Sequence, residues 1–327
     1  MLKLKDLIEN FDLAREALSH YDHDADTLEN TLQHFRISAN AVYPYYCSGR
    51  LCFLRMAPIS EKSETDLLAE LEFLHYLHKN GYPAMRPVSA KNGKELLRLT
   101  TAWGEYFACA FEGVPGEPIE ENPLTPEIAH VYGASLARLH ALSCRFAPAF
   151  RRPGHSAMLD TVRAHLAGHC APQAVLTACS ALEKELSALD RSAQEYGLVH
   201  YDFEPDNVFF DAGTGLCHVI DFDDSIYCWY ALDIEQALDS IDPLRHADFL
   251  AGYASVRPLP ADLARMRALM RRIVDLRSYA RLLHCLSEPA VPEPEWMPSL
   301  RERLQARMDG LQAKICASID ETASHSV

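Results

Sequence analysis

Apolar residues switch between helical and strand-like spacing along this chain, dividing it into a short β-rich stretch and a longer helical one. Leu7, Ile8, Phe11, Ala14 and Leu18 recur at helical spacing, so an amphipathic helix is expected over residues 5–20. From 35 to 56 the pattern reads strand–turn–strand: Phe35-Arg36-Ile37, Ala41-Val42-Tyr43, a turn at Cys47-Ser48-Gly49-Arg50, then Leu51 to Met56. Leu67, Leu68, Leu71, Leu74 and Leu77 make a helical stripe over 65–79, stopped by Asn80-Gly81 and Pro83. Two further strands are expected at 94–100 and 105–111, after which Glu112-Gly113-Val114-Pro115-Gly116 breaks the chain. Helices are expected over 126–146, within 155–195 and over 261–286, and after the connection Pro292-Glu293-Pro294-Glu295-Trp296 a last one runs to about Ile319. One β-prone pair interrupts the helical part. Val208-Phe209-Phe210 and His218-Val219-Ile220 flank Asp211-Ala212-Gly213-Thr214-Gly215, which has the composition of a tight turn.

A hairpin there brings its two flanking loops together. His200, Tyr201, Asp202 and Asn207 lie before it, and Asp221, Asp223 and Asp224 after it, with no Lys or Arg between 199 and 224. Carboxylates crowded in this way repel, so the cluster needs a cation or raised pKa values. Hard oxygen donors favour magnesium, which keeps part of its shell for phosphate and water. A second acidic stretch, His20 to Asp26, fails as a calcium loop: starting at Asp22, the positions that need Gly and Glu hold Thr27 and Gln33. It reads as a solvated acidic turn.

Composition adds bounds. The 327 residues are too many for one ordinary core and suit two lobes. A net charge of −15 argues against nucleic acid and anionic membranes as partners. No apolar run is long enough to span a membrane, and the first residues lack a signal-peptide core. The ten cysteines are scattered without C-x-x-C spacing and read as small buried hydrophobes of a chain kept in a reducing compartment. A cytoplasmic protein is expected, its oligomeric state left open.

The spacing His200-x-Asp202-x-x-x-x-Asn207, followed by Ile220-Asp221-Phe222-Asp223, resembles the catalytic and metal-binding loops of the aminoglycoside phosphotransferase and choline kinase superfamily, which includes homoserine-kinase-like enzymes. The resemblance implies an α+β, protein-kinase-like, two-lobed fold. A small antiparallel lobe over 1–111 binds nucleotide, and a mainly helical lobe over 112–327 carries catalysis and substrate. It implies Asp202 as catalytic base or hydroxyl-orienting group, His200 as the brace of its loop, and Asn207 and Asp221 as holders of Mg2+. Asp223 is added to the metal set, with Asp223 and Asp224 left open as to which reaches the ion. The loop at Ser38 and Asn40 matches the phosphate-covering segment. Arg55 falls where kinases carry a strand lysine, a departure because arginine grips phosphate as a fork and not as a point charge. Glu70 matches the helix carboxylate that pairs with this cation; Glu72 is its rival. Adenine is expected against the backbone from Ala110 to Glu112.

Several residues keep plainer readings. Arg55 could be an exposed edge-strand residue, and the two glutamates exposed helix residues. His140 reads as a packing or bridging histidine. Trp229 to Ile234 resembles a family W-x-x-x-D-I segment whose Asp opens a helix and supports the catalytic loop; Asp233 is read as structural, since a helix N-cap alone explains it. Six arginines between 265 and 281 could bind an anion or pair with acidic neighbours. The function implied is ATP- and Mg2+-dependent phosphorylation of a small-molecule hydroxyl, on an aminoglycoside, homoserine, choline or sugar-like compound. A protein Ser/Thr kinase of the bacterial stress-response type and a catalytically silent nucleotide-binding module are the alternatives. The missing A-P-E segment after Asp224 favours a small substrate over a peptide.

Overall fold

A computed structural model describes residues 2–6, 9–121, 123–288 and 293–324. The chain forms two compact units, one of Glu9–Arg152 with Arg191–Leu263 and the other of Met1–Ile8, Pro153–Asp190 and Ala264–Val327.

In the first unit, a six-stranded antiparallel sheet comprises β1 (Arg36–Ile37), β2 (Ala41–Cys47), β3 (Arg50–Pro58), β4 (Arg86–Val88), β5 (Leu97–Thr101) and β6 (Gly104–Glu112). The order is β1-β2-β3-β6-β4, with β5 also on β6. Strand alternation decides what each face carries. Leu54, Met56, Ala108 and Ala110 face a core closed by α1 (Phe11–Leu18) and α2 (Ala25–Leu32). Cys109 and Phe111, one step out of phase, join the core that holds Leu71, Phe73, Leu74 and Leu77 of α3 (Glu64–Lys79). Arg55 is in phase with that second set.

The first expected helix is shorter than its apolar spacing suggested. α1 starts at Phe11 because Asn10 caps it, its Oδ1 accepting from Leu13 N–H at 2.9 Å; Leu7 and Ile8 lie outside the described residues. The acidic stretch after it is more than a solvated turn. α2 begins within it, and the two carboxylate oxygens of Asp24 accept the N–H groups of Ser48 and Gly49, each at 2.8 Å. Those bonds fix the β2–β3 turn, where Ser48 and Gly49 both have positive φ. β4 was hidden from pattern reading by its length and by Pro87; it docks on β6 opposite Ala110–Glu112.

The segment after α3 anchors the sheet to the site. Met85 N–H donates to Val219 O at 2.9 Å and Val219 N–H to Pro83 O at 3.0 Å, tying it to a hairpin of β9 (Val208–Asp211) and β10 (Leu216–Val219), to which the short β7 (Glu117–Pro118) adds on β9. β8 (Tyr196–Val199) pairs antiparallel with β11 (Ile226–Trp229). Three helices complete this unit: α4 (Pro126–Ser143), α7 (Ala231–Asp239) and α8 (His246–Val256), the last unforeseen. Gly133 of α4 and Gly252 of α8 allow backbone contact, since a Cβ on either would lie 1.9 Å from a carbonyl oxygen of the other helix.

The second unit holds α5 (His155–Gly168), α6 (Gln173–Ser187), α9 (Leu263–Leu286) and α10 (Met297–Ser324). Arg272 of the arginine-rich α9 pairs with Glu185 of α6 at 2.8 Å, the acidic-neighbour reading for that residue. Part of the expected connection, Pro292 included, lies outside the described residues. All ten cysteines are unpaired; Cys170 is exposed, unlike the small buried hydrophobe expected of it. Among the described residues no helix is long and apolar enough to cross a membrane.

Candidate active site

Pairing of β8 with β11 sets Val199 opposite Ile226, so the loop after β8 and the loop before β11 start from one place. Asp233 then fastens the first loop. Its Oδ2 accepts His200 N–H and its Oδ1 accepts Tyr201 N–H, each at 2.8 Å. This corrects the N-cap reading: Asp233 is the third residue of α7, Tyr230 precedes the helix, and the carboxylate serves the loop. Tyr201 and Asp221 both take the left-handed backbone conformation, φ +70° and +58°, sparsely populated by non-glycine residues. One in each loop, they mark where the chain is bent to aim Asp202 and the Asp223 segment.

His200 is fully buried and links the loops. Its Nδ1 accepts Asp202 N–H at 3.2 Å, which leaves the proton on Nε2 to donate to Ile220 O at 2.9 Å. Asn207 spends its amide N–H groups on Asp202, donating to the backbone O at 3.0 Å and to Oδ2 at 2.9 Å. Its amide oxygen remains as an acceptor. The same residue's backbone O takes Ile220 N–H at 3.0 Å.

Arg55 and Glu70 form a two-pronged ion pair, Nη1 to Oε1 at 3.0 Å and Nη2 to Oε2 at 2.5 Å, with both residues buried. The exposed-edge reading of Arg55 fails because β3 is an interior strand between β2 and β6. The guanidinium also stacks 4.8 Å from the centre of the Phe111 ring. Glu72 points elsewhere, accepting Ala149 and Phe150 N–H at 2.7 and 2.8 Å. Beyond Glu70, Arg55 Nη1 lies 3.7 Å from Asp221 Oδ1. That oxygen is buried and has no hydrogen bond. Burial and the nearby Asp223 charge push the Asp221 carboxyl up, against the pull of Arg55. The side chain as a whole is 46% exposed, so water tempers the shift.

Asp223 is held from several sides. Its Oδ2 accepts Asn40 Nδ2 at 3.0 Å, bringing the loop between β1 and β2 down on it, and also meets the Lys62 ammonium. Burial alone would raise this carboxyl; Lys62 and Arg55 outweigh it and hold the group well below the usual carboxylate range. Arg152 donates from Nη2 to Phe222 O at 2.8 Å and to Asp223 O, and from Nη1 to Asp66 O at 3.0 Å, joining this loop to α3. Neither Lys62 nor Arg152 was anticipated, for they stand in loops without periodicity or motif. Ser38 lies beside Asn40, its N–H bonded to Asn40 O at 3.0 Å. Ala110 and Glu112 are at the end of β6, where β3 and β4 flank them; Glu112 also pairs with Arg50 at 3.1 Å.

Asp221 Oδ1, an orphaned buried acceptor, and the Asn207 amide oxygen are hard donors that suit a divalent cation. No group of three or more His, Cys, Asp or Glu side chains is arranged as a closed metal cage among the described residues.

The profile of the phosphotransferase enzyme family matches residues 48–269, over half of the chain and spanning both loops and the Arg55–Glu70 pair. This chain belongs to that family. Amicoumacin kinase of Bacillus subtilis (strain 168) is 24% identical over 208 residues, 62% of this chain and 60% of the relative. Homoserine kinase of Pseudomonas aeruginosa (strain LESB58) is 31% identical over 232 residues, 65% of this chain and 68% of the relative. The chain thus spans about 60% of the length of the first curated relatives it matches. Among solved structures, the amicoumacin kinase hAmiN in complex with AMP-PNP, Ca2+ and Ami superposes with a TM-score of 0.72 at 20% identity, covering 94% of this chain and 95% of that one. A microcompartment-associated aminopropanol kinase gives 0.69 at 22% identity, covering 97% and 98%. These likenesses show the two-lobed α+β kinase-like fold of the phosphotransferase family.

Proposed function

We propose that this family member is a kinase that transfers the terminal phosphoryl group of ATP to a hydroxyl of a small molecule. The observation that carries this reading is one arrangement. Asp202, bonded to Asn207, and Asp221, facing the Arg55–Glu70 pair, are set by loops that start at the β8–β11 pairing. Phosphoryl transfer asks a protein mainly for positioning and charge neutralisation. Asp202 receives the hydroxyl proton or orients that hydroxyl, and His200 and Asp233 hold its loop. Arg55, fixed by Glu70, meets nucleotide phosphate. Adenine lies along the backbone of Ala110–Glu112, at a lobe boundary near 111–112, and Ser38 and Asn40 cover the phosphates. Asn207 and Asp221, with Asp223 beside them, hold Mg2+, which when bound neutralises phosphate charge.

A small acceptor is favoured over a protein by the chain after the metal loop. β11 follows Asp224 after one residue and α7 begins at Ala231, leaving no segment for docking a peptide. The relatives' named substrates, amicoumacin, homoserine and aminopropanol, define the class to try first. The site resides in a protein of the cytoplasm with no nucleic-acid or membrane partner. The test is a panel of small hydroxyl compounds with ATP and Mg2+, read as ADP release together with the mass of the phosphate ester. ADP release without an ester, or neither across amino alcohols, amino acids and aminoglycosides, counts against the reading.

A further inference from the structure

Three carboxylates of this site are treated differently by the chain. Glu70 carries Arg55. Asp221 keeps a buried oxygen without a hydrogen bond. Asp223 carries its own cation: the Lys62 ammonium, from the loop between β3 and α3, sits on the same Oδ2 that Asn40 Nδ2 approaches at 3.0 Å. Both partners are drawn in, with side chains 17% and 4% exposed for Lys62 and Asp223. The peptide behind Asp223 is fixed as well, because Arg152 donates to Phe222 O and Asp223 O.

A divalent ion at Asp223 Oδ2 would have to displace an ammonium and an amide, and one at Oδ1 would face the Lys62 charge across the same carboxylate, in a place nearly closed to water where unbalanced charge is costly. At Asp221 the neighbouring cation, Arg55, stands 3.7 Å away without a hydrogen bond and is already held by Glu70, and the side chain is 46% exposed, so an ion displaces much less there. Building on the kinase reading above, we propose that Lys62 is a built-in replacement for a second metal ion, so that the site takes one divalent cation per nucleotide, at Asp221 and Asn207. A fixed ammonium neutralises Asp223 whether or not nucleotide is bound and keeps the metal loop from swelling when the site is empty. Asp223 is then a positioning residue. It receives Lys62 and Asn40 from the first lobe and holds the phosphate-covering loop against the metal loop, without itself touching the ion.

The test counts ions. Full-length protein is saturated with a non-hydrolysable ATP analogue and dialysed against Mn2+, and bound Mn2+ is measured per bound nucleotide. The expected ratio is one for the wild type, one for Lys62→Arg, which keeps a cation at Asp223, and two for Lys62→Met, which removes it. Thermal unfolding without nucleotide supplies the second readout: Lys62→Met melts lower than wild type, and Mn2+ alone restores most of that loss while leaving Lys62→Arg nearly unmoved. Two ions in the wild type overturn the proposal, as does a single ion in a folded Lys62→Met protein whose melting is insensitive to Mn2+. Failure of the wild type to bind nucleotide with any Mn2+ removes the kinase reading itself, an outcome distinct from a wrong ion count.

Discussion

His140 Nε2 lies 3.0 Å from Asp233 Oδ2, and both side chains are fully buried. Because the same oxygen takes the His200 N–H, the imidazole of α4 braces the carboxylate that holds the candidate catalytic loop. Nδ1 of the neutral ring accepts from Tyr253 OH at 2.9 Å, which extends the bracing to α8.

That arrangement sets a pH dependence. Burial lowers the pKa of His140, outweighing the pull of Asp233 in the other direction. The unfolded chain therefore takes up a proton at this residue first as pH falls. The stability held in the neutral ring is complete above the unfolded value of about 6.5 and is lost as pH drops below it toward the folded value. His140→Gln is expected to flatten the fall in urea midpoint between about pH 7 and pH 5.5, while costing about 1–3 kcal/mol at neutral pH from the broken bonds. An acid slope identical in wild type and variant would assign the dependence to other groups.

For Asp202, the conservative variant is Asp202→Asn. The Asn207 amide bonds Asp202 at two points, one of them a backbone oxygen that survives the change, so the loop should keep its shape. Turnover is expected to fall by about two to four orders of magnitude with melting temperature and nucleotide affinity close to wild type, the range for loss of a general base. Near-normal turnover in this variant would remove Asp202 from the role.

How much of this was readable beforehand differs by residue. That the loops holding Asp202, Asn207 and Asp221 meet was legible because the turn composition of 211–215 announced the hairpin between them, while the roles proposed for these residues rest on the family resemblance. Glu70 could be chosen over Glu72 since only one of two residues two apart on a helix faces inward with Leu67, Leu71 and Leu74. The larger elements followed from periodicity. What periodicity cannot show is a contact between distant loops: Lys62 with Asp223, or Arg152 with Asp66 and Phe222. Asp233 was misassigned for a related reason. An Asp at the start of a helix fits a cap locally; the family resemblance already implied support of the catalytic loop, and the tertiary fold reveals the two N–H groups through which it is given.

The Arg55–Glu70 pair is buried enough for its loss to unbalance the interior. Glu70→Ala strands a buried guanidinium and is expected to cost about 3–5 kcal/mol. Arg55→Ala should raise the KM for ATP and lower kcat together, and Arg55→Lys should recover part of both, having the charge without the fork. The double variant should fall short of the sum of the two singles if they act as one unit, which a double-mutant cycle on melting and kinetics measures. Additive effects would separate Glu70 from the phosphate role of Arg55.

Asp221→Ala removes the orphaned buried acceptor that faces Arg55. Calorimetry with ATP and Mg2+ is expected to show at least a tenfold weaker affinity, about 1.4 kcal/mol or more. The same protein with nucleotide but without divalent ion should resemble the wild type in EDTA. Unchanged Mg2+-dependent affinity would move the ion elsewhere.

The contact between α4 and α8 offers a structural prediction with a built-in control. A Cβ on Gly252 would fall 1.9 Å from His130 O, and one on Gly133 the same distance from Phe249 O, so neither position admits even a methyl group without parting the helices. Parting them matters for the site. α4 carries His140, and Tyr132, whose OH donates to Phe203 O at 2.6 Å inside the candidate catalytic loop. α8 carries Tyr253, the partner of His140. Gly252→Ala gains about 1 kcal/mol of helix propensity but meets backbone that cannot yield like a side chain. Overpacking of this kind costs about 1–3 kcal/mol or more, so the net effect should be destabilising. Kinetics should show a lower kcat in the folded fraction, because the displaced helices no longer hold the loop. Gly310 in α10 is the control: among the described residues, nothing would lie within 4 Å of a Cβ placed there, and Gly310→Ala should be neutral or stabilising. If Gly252→Ala and Gly310→Ala melt alike, the backbone contact between α4 and α8 does not constrain this protein.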